Sequence, residues 1–185
     1  KGIPSVSYGS LRISQFQFYR VTGASTQSKG VQSDIVLPGK LAYLETREKF
    51  RDAALPWDSI SPAAYKPSNS LNSWNKMRNL GRAAVGEIKI FKNIDEKSKL
   101  LAEEQLKAIS LKPVEFVKQQ QALLDYTKQI EVFQQLPAAK RLKVLAAPGY
   151  SIPTKDWYIK WTKALATDIY IDKTIDILNN VMTVK

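Results

Sequence analysis

The chain has 185 residues, 44% of them hydrophobic, with 8 Gly and 9 Pro, an ordinary globular composition long enough to bury a sizeable core. It contains no Cys and no His, which excludes disulfides, a Ser/His/Asp triad, a Cys/His dyad and any zinc or haem site built on thiolate or imidazole, so no metal and no cofactor is expected. The net charge of +11 is spread out, with 14 Lys/Arg against 6 Asp/Glu in residues 1–92 and 14 against 11 in residues 93–185, a pattern that predicts a solvated basic surface and no nucleic-acid partner.

No window approaches the ~18 apolar residues of a membrane span, and no signal sequence opens the chain. It begins Lys1-Gly2-Ile3-Pro4 without Met, which predicts a piece of something longer or processed. Leu11 to Val21 (LRISQFQFYRV) is rich in Ile, Phe, Tyr and Val and predicts a strand, apolar on both faces or bulged between Ile13 and Phe16. The polar stretch Gly23 to Gly30 turns the chain, and Val31 to Leu37 predicts a second strand, stopped by Pro38-Gly39. Leu41 to Arg51 is charged and short-helical in character, Ala53 to Ile60 is apolar and broken by Pro56, and Ser61-Pro62 has the form of an N-cap followed by Pro at the first helical position.

The remainder predicts helices. Pro67 to Ser70 is a loop, then Trp74, Met77 and Leu80 follow at helical spacing, with Gly81 and Gly86 blurring the helix's extent. Asn93 with Glu96 fits a capping box ahead of Ile94, Leu101 and Ala108, with Glu103 to Lys107 as an i,i+4 ion pair. After a break at Ser110 to Pro113, the residues Phe116, Leu123, Ile130 and Phe133 mark one face of a helix running from about Pro113 to Leu136. Ala146 to Pro153 is a loop. Thr154 is placed to cap a helix carrying Trp157, Trp161 and Leu165, and Ile171, Ile175, Leu178 and Met182 describe the apolar side of a terminal amphipathic helix. The expected fold class is α+β: a short β-strand pair at the N-terminus followed by a mainly helical domain.

Two segments carry a resemblance. The first, Phe18-Tyr19-Arg20, Gly23, Ser25-Thr26-Gln27, Lys29-Gly30-Val31, Asp34-Ile35 and Pro38, resembles the stretch that closes the peptidase core of the carboxy-terminal processing proteases. The second, Leu55-Pro56-Trp57-Asp58 followed by Tyr65, is similar to the tail-specific branch of that family. Ile109-Ser110-Leu111, and Asp168 to Asp172 ahead of Thr174, are similar to the helical extension of the same branch. The likeness is strong over residues 16–65 and weak from 66 onward. It divides the chain into the last strands of the peptidase core (1–40), a connecting Pro-Trp-Asp segment (41–68) and a helical C-terminal extension (69–185).

The resemblance implies a serine endopeptidase of the bacterial periplasm that processes or degrades proteins from a nonpolar C-terminus, with Ser as nucleophile and Lys as general base. A desolvated Lys of lowered pKa can take a Ser proton at neutral pH. In the family the nucleophile and the tail-reading PDZ module precede the Phe-Tyr-Arg segment. Only 17 residues precede Phe18 here, so no nucleophile is expected in this chain and the chain alone is expected to be inactive. Lys1-Gly2 is similar to the Lys-Gly of the family's general base, but Ser5 stands where the family has Gln, and a chain end without catalytic role is the favoured reading of Lys1.

Other chemistry is weaker. Ser25 with Lys29 as base would need a buried Lys, and a Gly-flanked turn offers no burial. Trp57-Asp58 reads as an aromatic anchor with an Asx-type turn rather than a peptide-contacting pair. Glu45 with Glu48 and Glu103 with Glu104 read as helix-face charges, and Trp157, Tyr158 and Trp161 as helix packing rather than a groove for a partner helix or an unfolded substrate. The expected partners are the rest of the parent protease, unfolded or tail-bearing proteins, a protein adaptor, and a second copy of the chain, since Ile13, Phe16 and Phe18 need cover. The competing class is a stand-alone, non-enzymatic binding module for protein or anionic envelope partners.

Overall fold

The computed structural model describes residues 9–10, 13, 15–66, 71–146, 148–149, 151 and 155–183, with the side chains of 71–73 and 183 left aside. The chain divides into two compact units. One comprises residues up to Gln32 together with Arg47–Pro67, and the other comprises Ser33–Thr46 together with Ser68–Lys185. Lys1, the Pro67 to Ser70 loop and the proposed Thr154 cap lie outside the described residues.

The second unit is helical: α1 (Leu71–Glu87), α2 (Lys89–Leu106), α3 (Pro113–Phe133), α4 (Asp156–Thr167) and α5 (Ile169–Thr183). In α2, Phe91, Ile94, Ser98, Leu101 and Ala102 are buried, the spacing of one helical face. With Ile130 of α3 and Ile177 and Val181 of α5, the apolar members of that face close the core. Pro113 starts α3 at the position where its missing N–H is not needed. Just before it, the Gln119 side chain donates to the Ala108 carbonyl at 3.0 Å and accepts from the Ser110 N–H at 3.1 Å, closing the α2–α3 turn. Asp168 caps α5 by accepting from the N–H groups of Tyr170 and Ile171 at 2.7 and 3.3 Å.

Among the described residues there is no strand, and the α+β expectation gives way to an all-α fold. Isolated bridges such as Tyr19 with Ser25 and Ala24 with Ser59 take the place of a ladder. Val31 to Leu37 is not a strand: Ile35 and Leu37 are covered by the helices, so this segment satisfies its apolar side chains on a helical surface rather than across a sheet. Phe16 is 93% exposed and Phe18 71%, and among the described residues no partner edge runs beside them.

The helical expectations are corrected in detail. Ser61-Pro62 starts no helix, and residues 61–66 are exposed and irregular. Asn93 does not cap, because α2 begins at Lys89 with Ile88 as its N-cap. Lys107 pairs with Glu104 at 2.6 Å rather than with Glu103. In α5 the core takes Ile169, Ile177 and Val181 while Ile175, Leu178 and Met182 stay exposed. That helix is apolar on two stripes, and periodicity alone could not choose between them.

Candidate functional site

The two motif segments meet in the first unit. Gly23, buried with φ of +78°, lets the backbone turn so that its carbonyl accepts from the Ile60 N–H at 2.8 Å. The Ser25 N–H donates to the Asp58 carbonyl at 3.2 Å, and the Trp57 indole Nε1 donates to the Ser25 carbonyl at 3.0 Å. Ser25 is 3% exposed, and its hydroxyl accepts from Gln17 Nε2 at 2.7 Å and from the Gln27 N–H at 2.9 Å. Gln17 Nε2 also donates to Asp58 Oδ1 at 2.8 Å, while the Tyr19 hydroxyl donates to Asp58 Oδ2 at 2.7 Å. That hydrogen bond, with smaller contributions from burial and the Asp58 charge, raises the Tyr19 pKa above its ordinary 10.0.

Around this latch, Gln27 Nε2 donates to Glu48 at 2.7 Å and the Ser28 hydroxyl to the Leu55 carbonyl at 3.0 Å. Gly30, at φ of +63°, sends its N–H to the Thr26 carbonyl at 2.8 Å. Lys29 Nζ sits 3.4 Å above the Trp57 ring, not on the Ser25 hydroxyl. Arg20 contributes its backbone N–H to the Ala24 carbonyl at 3.0 Å. Phe18 and Tyr65 are exposed, and Pro56 precedes the Trp57 anchor in the chain. The Ser25 hydroxyl, N–H and carbonyl are thus all engaged, and among the described residues no Lys or carboxylate bonds to the hydroxyl.

The other half of the first motif belongs to the helical unit. Asp34 accepts from Arg78 at 3.5 Å and its carbonyl from Arg82 Nε at 2.9 Å. Ile35 fits the notch left by Gly81, where a Cβ would stand 2.2 Å from its Cδ1. The Pro38 carbonyl accepts from the Tyr170 hydroxyl at 2.9 Å, and Lys40 pairs with Glu131 at 3.1 Å. Residues Ser33–Thr46 thus form a strap within the helical unit, along which the Tyr43 hydroxyl donates to Asp95 at 2.5 Å beside the Asp95–Lys99 pair at 2.8 Å. Sequence reasoning missed Gln17, Tyr43, Arg78, Arg82, Asp95 and Tyr170. The available signals were the polarity of Gln17 between two aromatics and the place of Tyr170 inside the Asp168 to Asp172 stretch; the rest are ordinary helix and loop residues.

The Tyr43–Asp95 contact predicts a pH response. Burial pushes the Asp95 carboxyl up, but the hydrogen bonds from Lys99 and Tyr43 outweigh it and hold the group below its ordinary 3.8. The bond to Asp95 first, and burial second, raises Tyr43 above 10.0. Asp95 therefore stabilises the docked strap above its unfolded pKa and loses that contribution as pH falls through its lowered folded value. Tyr43 stabilises it below about 10 and loses that contribution as pH rises through its raised folded value. A phenol titration of Asp95→Asn should show one tyrosine returning toward its ordinary range, and an unchanged titration would break the assignment.

Residues 41–183 match the family described as the C-terminal domain of tail specific protease. Over 64 residues the chain is 42% identical to the tail-specific protease of Haemophilus influenzae, a stretch covering 35% of this chain and 9% of that relative. No solved structure gives a significant match. Among the described residues no helix is long and apolar enough to cross a membrane, and no group of three or more His, Cys, Asp or Glu could hold a metal ion. With more than half of its length matched, the chain belongs to the family of tail-specific protease C-terminal domains.

Proposed function

We propose that this chain is the C-terminal supporting part of a periplasmic serine endopeptidase that processes or degrades proteins from a nonpolar C-terminus. Its Ser nucleophile and Lys base lie N-terminal to Phe18 in the parent chain, and the part described here supplies no catalytic group. The observation that carries this reading is the state of Ser25. The hydroxyl that the motif places in a polar loop is buried and spent on Gln17 and Gln27, so the motif serves to fasten the Pro-Trp-Asp segment rather than to cleave.

The remaining partners follow from the same reading: the rest of the parent protease, unfolded or tail-bearing substrates, and a protein adaptor. The exposed side chains of Phe16, Phe18 and Val31 support cover by the parent core or by a second copy. Incubating the chain with an unfolded protein bearing a nonpolar tail is expected to leave the substrate intact. Cleavage that survives purification and disappears in Ser25→Ala would overturn the proposal.

A further inference from the structure

Helix α4 (DWYIKWTKALAT) buries none of its side chains. Trp157 is 63% exposed and Trp161 50%, one turn apart on the same stripe. Tyr158 joins them edge to face, at 5.4 Å from the Trp157 ring and 5.3 Å from Trp161. The three rings thus form one continuous aromatic plate in which the two tryptophans face solvent. The expectation that these aromatics pack against neighbouring helices is not met for Trp157 and Trp161, whereas Tyr158 is partly buried.

The plate has basic surroundings. Lys160 follows Trp157 by three residues at the edge of the tryptophan stripe, and Lys155 and Lys163 stand on other sides of α4 and its N-cap. The Leu142 N–H donates to the Ala166 carbonyl at 2.8 Å, which brings the segment containing Lys140, Arg141 and Lys143 alongside the end of α4. All six cations are exposed, and among the described residues none makes an ion pair with a carboxylate. The acidic residues of this region are Asp156 and Asp168, and Asp168 is occupied in capping α5.

Two exposed Trp on a short helix, backed by a partly buried Tyr and flanked by unpaired lysines, match the chemistry of a bilayer interface: amphipathic rings rest at headgroup depth while long cationic side chains reach lipid phosphates. A nucleic acid would use the same cations but would need the rings to stack on unpaired bases, and an acidic protein would leave them without an apolar counterpart. We propose that α4 with the Lys140–Lys143 segment is a docking surface for an anionic phospholipid membrane, bound peripherally. The surface is independent of where the active site of the parent protein lies.

The test uses the full chain with vesicles of phosphatidylcholine alone and of phosphatidylcholine mixed with phosphatidylglycerol. Sedimentation with the anionic vesicles, weakened by salt, and no sedimentation with the neutral ones is the expected result. Trp157→Ala with Trp161→Ala should weaken partitioning at least tenfold, and Lys160→Gln with Lys163→Gln about thirtyfold, since each lysine near an anionic surface contributes about fivefold. Circular dichroism and melting should be unchanged in both variants. Trp157→Phe with Trp161→Phe should remove the blue shift in tryptophan emission seen with vesicles. No partitioning, equal partitioning to neutral vesicles, or binding to anionic vesicles and polyglutamate alike that ignores the tryptophan changes would each overturn the proposal.

Discussion

Replacing Phe91 by alanine should cost the helical unit about 3–5 kcal/mol, the usual result of emptying a buried aromatic site. Phe91 is 1% exposed and lies in the cluster closed by Ile94, Leu101, Ile130, Ile177 and Val181. Its ring stacks on Tyr170 at 5.8 Å, and Tyr170 is the residue whose hydroxyl holds the Pro38 carbonyl. The cavity would therefore loosen the strap as well as the core. Against a typical total of about 5–15 kcal/mol such a loss is severe. Urea unfolding followed by circular dichroism measures it. Phe91→Leu, which refills most of the volume, should recover the greater part, and a cost for Phe91→Ala below about 1 kcal/mol would show that the ring is not a core element.

The second large effect is expected at Gly23. An alanine there must keep φ at +78° and place its Cβ 2.0 Å from the Ile60 carbonyl oxygen and 3.1 Å from Pro62 N. The left-handed backbone alone costs an L-residue roughly 1–2 kcal/mol. The obstruction is backbone rather than a flexible side chain, so the Asp58 to Pro62 stretch must move away. With it would go the Ile60-to-Gly23 and Ser25-to-Asp58 hydrogen bonds and the Trp57 contact with the Ser25 carbonyl. Hydrogen exchange should show Ser25 and Ile60 unprotected in Gly23→Ala, while the melting of the helices stays at its wild-type position. Gly39→Ala, where nothing stands within 4 Å, is the control. Retained protection in Gly23→Ala would mean that the two motif segments are held together by something other than this turn.

Helix α2 was legible because it presents one apolar stripe, although Ala108 of the expected repeat lies beyond its end and is exposed. The expected start of α3 at Pro113 coincides with the observed one, but of its expected face Phe116 is exposed. The strands were not legible. The β preference of Ile13, Phe16, Phe18 and Val36 expresses fit to a pleated, half-covered surface, and among the described residues no edge is offered to them. In α5 the competing stripes led to the wrong face. For the site, residue types announced both motif segments, but a pattern gives no partners: nothing in the sequence joined Gln17 and Tyr19 to Asp58 across some 40 positions. The exposure of Trp157 and Trp161 was equally hidden, because a tryptophan at helical spacing reads the same whether it faces a core or solvent.

The strap imposes an order on folding. Residues 33–46 belong with the helices although they precede all five of them, and they interrupt the sequence of the first unit. On the ribosome the strap emerges early and has nowhere to settle. Arg78 and Arg82 come first, and the Tyr170 hydroxyl, 132 residues beyond Pro38, comes last. Closing so long a loop is slow compared with forming the local α2–α3 hairpin. Ile35 can meet Gly81 once α1 has been made, but the Pro38 end of the strap stays unfastened until α5 follows, an interval in which a chaperone or a premature association has access to it.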